Sequence, residues 1–94
     1  MIKLIFGLHR ETFLITIEGK KITYKDRRTG EMQLLPLTKE QEVDLEAQGL
    51  SPNTLFDEGG YEEYKKATTE KELAEIIIKD VKGKGGRLIE ENAS

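Results

Sequence analysis

No cysteine occurs among the 94 residues, and that absence closes several routes. Disulfide bonds, thiolate nucleophiles and cysteine-ligated zinc are excluded. Tryptophan is also missing, and the aromatic residues amount to three Phe and three Tyr. A nucleic-acid platform that stacks bases on rings has little to draw on. His9 is the only histidine, and the serines are Ser51 and Ser94. A Ser–His–Asp arrangement therefore lacks companions, and a zinc site lacks a second imidazole. No apolar run approaches the ~20 residues of a membrane span. The opening MIKLIFGLHRE is too short in its apolar part for a signal peptide, and it alternates as a strand does. The expectation is a cytoplasmic, unprocessed protein with no membrane partner, no cofactor, no metal and no catalytic residue.

What is present is charge and periodicity. Charged residues make up 35% of the chain and hydrophobic ones 36%. A chain of this size is expected to form one domain over residues 1–94, burying roughly 60–70% of its unfolded surface. So thin a core leaves room for stabilisation by a partner or by homo-oligomerisation. The net charge of −3 is unevenly spread. Met1–Leu37 holds seven basic residues (Lys3, Arg10, Lys20, Lys21, Lys25, Arg27, Arg28) against four acidic ones. Glu40–Tyr64 holds eight acids and no lysine or arginine. A two-faced molecule is expected, basic at one end and acidic along a flank.

The strongest pattern is Thr69–Lys82, TEKELAEIIIKDVK. Leu73, Ala74, Ile76, Ile77, Ile78 and Val81 gather on one side of a helical wheel, with charges opposite. Thr69 and Glu72 have capping-box spacing, and Gly83 is placed to supply a left-handed terminator. A helix this apolar needs a surface to cover, and the first third of the chain supplies one. Ile2–Leu8 alternates, with Ile2, Leu4, Phe6 and Leu8 on one face. His9-Arg10-Glu11 reads as a turn. Thr12–Glu18 places Phe13, Ile15 and Ile17 together. Gly19-Lys20 fits a two-residue hairpin turn. Lys21–Asp26 turns Ile22 and Tyr24 inward, Arg27–Gly30 is a turn, and Glu31–Leu37 is a fourth strand with Pro36 marking a sheet edge. Thr38 and Gln41 form a second capping box, opening a short acidic helix through about Gln48 that Gly49 closes. Its apolar residues are few (Val43, Leu45, Ala47), so it should lie solvated at the edge. Leu50–Gly60 is connector, anchored through Leu55-Phe56. Tyr61–Ala67 fits either a helix or a strand; as a strand it would complete a strand–helix–strand unit. Arg87–Glu91 is a short last strand, with Asn92–Ser94 frayed. The fold class is α+β: an N-terminal antiparallel meander of four to five strands, packed against one main C-terminal amphipathic helix, plus a short acidic helix.

Four constellations are candidates for function. The acidic flank, with Glu42, Asp44, Glu46, Asp57 and Glu58, can dock on a basic partner or imitate a phosphate array; the bland alternative is a solvated helix face. The basic turns, with Arg27, Arg28, Lys84 and Arg87, can grip a nucleic-acid backbone, Tyr24 being the aromatic nearest to them. Charged turns that discourage edge-to-edge pairing explain the same residues. The Gly83–Gly86 run (GKGG) suggests a phosphate cradle, but it follows a helix instead of preceding one, where the dipole has the wrong sign. Asp57, Glu63 and Lys65 give the D…E-x-K skeleton of a magnesium-dependent nuclease, a short pattern common in a Glu- and Lys-rich chain. The favoured expectation is a non-enzymatic regulatory or accessory protein that binds another protein through charged surfaces. Nucleic-acid binding comes second and the nuclease third.

Overall fold

The computed structural model describes residues 1–28, 30–34, 37–49 and 60–93, the side chains of residues 39 and 60 apart. Five strands, β1 (Ile2–Leu8), β2 (Glu11–Glu18), β3 (Lys21–Asp26), β4 (Gly30–Leu34) and β5 (Arg87–Ala93), form one sheet in the order β4-β3-β2-β1-β5. All neighbours are antiparallel. Three helices, α1 (Lys39–Ala47), α2 (Gly60–Lys66) and α3 (Glu70–Gly83), lie between β4 and β5 in the chain. The α+β class and the meander are as the alternation of apolar residues predicts.

Pairing register explains why one side of the sheet is apolar. Ile2 faces Ile17, Leu4 faces Ile15 and Phe6 faces Phe13. Ile17 continues to Ile22 and Ile22 to Leu34. Because strand side chains alternate, this row shares one face, and α3 packs on it. Leu73, Ala74, Ile77 and Val81 of α3 are buried there with Leu4, Phe6, Ile15, Ile17 and Ile22. Burying each large side chain contributes about 1.5–3 kcal/mol, and these nine residues make up most of the described core. The opposite face is open: Lys3, Lys25, Glu31 and Gln33 are exposed along it, with Ile5 and Leu14 half-buried between them.

Several boundaries differ from expectation. Glu11 and Gly30 belong to strands, β4 is described over Gly30–Leu34, and Leu37 is in no strand. Residues 61–66 are helical, as part of α2, and β5 returns antiparallel beside β1, so there is no parallel strand–helix–strand crossover. Tyr61 and Tyr64 stack with ring centroids 6.2 Å apart, as three-residue helical spacing allows. Asn92 and Ala93 are not frayed; they pair with Lys3 and Ile2. Gly83 is not the left-handed terminator. It is the last helical residue, and Gly85 takes φ +92. The amide of Gly86 donates to the carbonyl of Val81 at 2.9 Å and that of Gly85 to Lys82 at 3.1 Å, a Schellman closure two residues later than predicted. Gly86 is fixed by contact, because a Cβ there would overlap the Val81 side chain. The proposed Leu55-Phe56 anchor and Pro36 lie outside the described residues.

The end of the sheet where α3 begins is fastened by polar contacts. Glu70 accepts from the amide of Gly19 at 2.8 Å and from the Met1 ammonium at 2.9 Å. Folding therefore lowers the Glu70 pKa, the Gly19 bond being the main cause. Lys20 donates to the carbonyl of Tyr64 at 2.9 Å and sits 4.4 Å above the Tyr64 ring, tying α2 to the β2–β3 turn.

Candidate functional site

α1 carries Glu42, Asp44 and Glu46 of the predicted acidic flank; Asp57 and Glu58 lie outside the described residues. Thr38 and Gln41 cap the helix in both directions, Thr38 Oγ1 accepting from the Gln41 amide at 3.2 Å and Gln41 Oε1 from the Thr38 amide at 3.0 Å. That local device, with Gly49 at φ +80 beyond the C-cap, specifies the helix without help from a core. α1 approaches no other described strand or helix. Glu40, Val43, Asp44 and Ala47 recur at three- and four-residue spacing and are all exposed, Val43 at 56%. No basic residue stands in its last turn, and no described lysine or arginine pairs with its carboxylates. Its outer surface is thus a negative face with a small apolar centre.

The basic candidates converge at the other end of the sheet. β1 and β2 are joined by His9 and Arg10, at φ 50 and 66. Two successive left-handed residues are what a tight hairpin turn demands, and neither is the glycine or asparagine that tolerates them best. β3 and β4 are joined through Arg27 and Arg28, where Asp26 Oδ1 accepts from the Arg28 amide at 2.8 Å. Lys84 is the C-cap of α3 and Arg87 opens β5. A hollow of about 300 Å³ is lined by Arg10, Glu11, Asp26, Arg27 and Arg28, and a second, of about 270 Å³, by His9, Arg10, Gly85 and Arg87. Part of the charge is balanced in place: Arg28 meets Glu11 at 3.1 Å and Lys84 meets Asp80 at 3.0 Å.

Tyr24 does not join this surface as a stacking platform. It sits on the helix-facing side, between Ile15 and Met32, its ring 5.2 Å from that of Phe13. Its hydroxyl donates to Asp26. Burial and that bond push its pKa up to about 12. The other tyrosines are engaged as well, Tyr64 by Lys20 and Tyr61 by Lys65 at 5.7 Å. Of the nuclease skeleton, Asp57 lies outside the described residues, and Glu63 faces Lys79 at 3.6 Å. Among the described residues no group of three or more His, Asp or Glu side chains is placed to hold a metal ion.

The chain pattern gave no warning of a third feature. α3 lies over β1, β2 and β5 and approaches neither β3 nor β4. The uncovered corner of the inner face is a groove of about 290 Å³, walled by Leu8, Phe13, Ile15, Tyr24, Leu34 and Val81, with His9, Glu11, Asp80 and Lys84 at its rim. A half-buried Leu8, Phe13 and Tyr24 were legible as inward-facing, but which strands a single helix leaves bare depends on where it crosses the sheet.

No helix among the described residues is long and apolar enough to cross a membrane. No family model, no curated protein and no solved structure matches this chain.

Proposed function

We propose that this is a non-enzymatic accessory or regulatory protein of the cytosol, which docks on a basic protein surface through α1. The observation that supports the reading is the situation of α1. It is well capped, strongly acidic and apart from every other described element, with Val43 exposed at its centre. A helix that contributes little to the core and keeps like charges together is destabilised by its own repulsion. Opposite charge on a partner relieves that repulsion, and Val43 adds a desolvated contact. The test is affinity capture from the native cell, with nuclease treatment of the eluate. Glu42→Lys, Asp44→Lys and Glu46→Lys together should abolish capture of a nuclease-resistant partner while the circular dichroism of the sheet stays unchanged. Retention of the same partner by the triple variant rejects the reading.

The convergence of the Arg10, Arg27–Arg28 and Lys84–Arg87 turns favours a second reading, binding of a nucleic-acid backbone at that end. Such binding would be phosphate-directed and tolerant of sequence, since the described tyrosines are engaged by Asp26, Lys20 and Lys65. Its affinity would fall with salt by about 0.9 log unit per phosphate contact for each log unit of salt. Arg27→Glu with Arg28→Glu should remove it; undiminished binding by that variant rejects it.

A further inference from the structure

We propose that the hollow between the β1–β2 turn and the start of β5 binds a phosphomonoester group, held by Arg87, Arg10 and Thr12. The site lies apart from α1 and requires no nucleic-acid backbone; it shares only Arg10 and Arg87 with the second reading above. Its floor is Gly7. Thr12 and Arg87 are the register partners of Gly7 on either side, so the three residues form one row across β2, β1 and β5. A Cβ on Gly7 would stand 3.2 Å from Arg87 Nε and 3.6 Å from Arg87 Cγ. The missing side chain therefore lets the Arg87 stem lie against the strand, with Nε over Gly7. A glycine weakens a strand interior, and a close approach of this kind is what requires one.

The donors around this floor are unspent. Among the described residues Arg10 and Arg87 form no ion pair and the Thr12 hydroxyl no hydrogen bond. Glu11, the carboxylate that borders the hollow, is engaged by Arg28 at 3.1 Å. Two uncompensated guanidinium charges thus face one space. A phosphomonoester carries about two negative charges at neutral pH, and its terminal oxygens accept from guanidinium forks and hydroxyls. A carboxylate or a phosphodiester brings one charge and leaves part of the set unmatched. The volume of about 270 Å³ admits the group with the first atoms of the molecule that carries it. His9 and Arg10, which also line the hollow, hold φ 50 and 66, where an Asn-Gly pair fits at lower cost. Replacing that pair separates folding from binding.

Amide NMR on the full chain tests this, by titration with inorganic phosphate at constant ionic strength. Saturable shifts should appear at Gly7, Arg10, Thr12 and Arg87. Arg87→Gln and Arg10→Gln should each weaken binding by about tenfold or more. Gly7→Val, which keeps every donor but displaces the Arg87 stem, should weaken it as well. His9→Asn with Arg10→Gly should raise the melting temperature and still lose phosphate. Dinucleotides with a 5′-phosphate or a 5′-hydroxyl identify the source of the group. Tighter binding of the phosphorylated one than of inorganic phosphate assigns the site to a nucleotide end, and parity assigns it to free phosphate. No saturable shift overturns the proposal, as do shifts indifferent to both Gln variants. A 5′-hydroxyl oligonucleotide that binds through Arg27 and Arg28, with no phosphate titration, would overturn the site and leave the backbone reading standing.

Discussion

Helices α1 and α3 start from the same local code, a threonine N-cap whose hydroxyl accepts the amide of a Gln or Glu three residues on. Each is followed by a left-handed glycine, Gly49 or Gly85. What differs is the stripe between the caps. α3 repeats Leu73, Ala74, Ile77 and Val81 on one face, and all four are buried against the sheet. In α1 the corresponding positions alternate with carboxylates, and Val43 stays in solvent. Capping decides that a helix exists; apolar periodicity decides whether it belongs to the core. A helix that satisfies the first condition and fails the second forms without joining the core.

The largest break of this comparison is expected in the stripe itself. Ile77→Ala should cost about 2–5 kcal/mol in denaturant unfolding, through lost burial and the cavity left behind. Val43→Ala, by contrast, should stay within about 0.5 kcal/mol of the native chain. Next comes the closure of α3. Gly86→Ala should destabilise by about 1–3 kcal/mol, because its Cβ would meet the Val81 side chain and lie 3.1 Å from the Val81 carbonyl. Gly83→Ala meets open space, and should be neutral or stabilising by up to about 1 kcal/mol. The caps give a smaller and sharper contrast. Thr69→Ala should lower global stability by about 1 kcal/mol. Thr38→Ala should remove the same local support yet leave the melting temperature of the sheet unchanged, with only helical ellipticity falling.

The smallest effect concerns Glu70. Folding lowers its pKa, so its contribution is fully present above the unfolded carboxylate value and is lost as pH falls through the folded one. Glu70→Gln should flatten the acid limb of a stability–pH curve and leave the neutral-pH fold intact.

Legibility in the sequence followed the range of the interaction. Ile2–Leu8 and Lys21–Asp26 could be bounded from alternation and turn residues alone. Thr38 and Thr69 marked both helix starts, because capping is settled within four residues. The exact terminator of α3 was not legible, since Gly83, Gly85 and Gly86 compete and only the approach of Gly86 to Val81 decides. Tyr61 and Tyr64 admitted two periods until Lys20 and α3 fixed one. The strand role of Asn92 and Ala93 came from pairing with the first residues of the chain, which no local pattern encodes. Among the candidate residues, Arg10, Arg27 and Arg28 were readable from the sequence as charges near the meander turns, whereas the groove needed the strand order to appear.

Native-state hydrogen exchange tests the separation of α1 from α3 most directly. The amides of Leu73–Val81 should exchange only through global unfolding, while those of Val43–Ala47 should exchange through local opening with a free energy near zero. Equal opening free energies for the two helices would mean that α1 is held by the core, and would contradict the account.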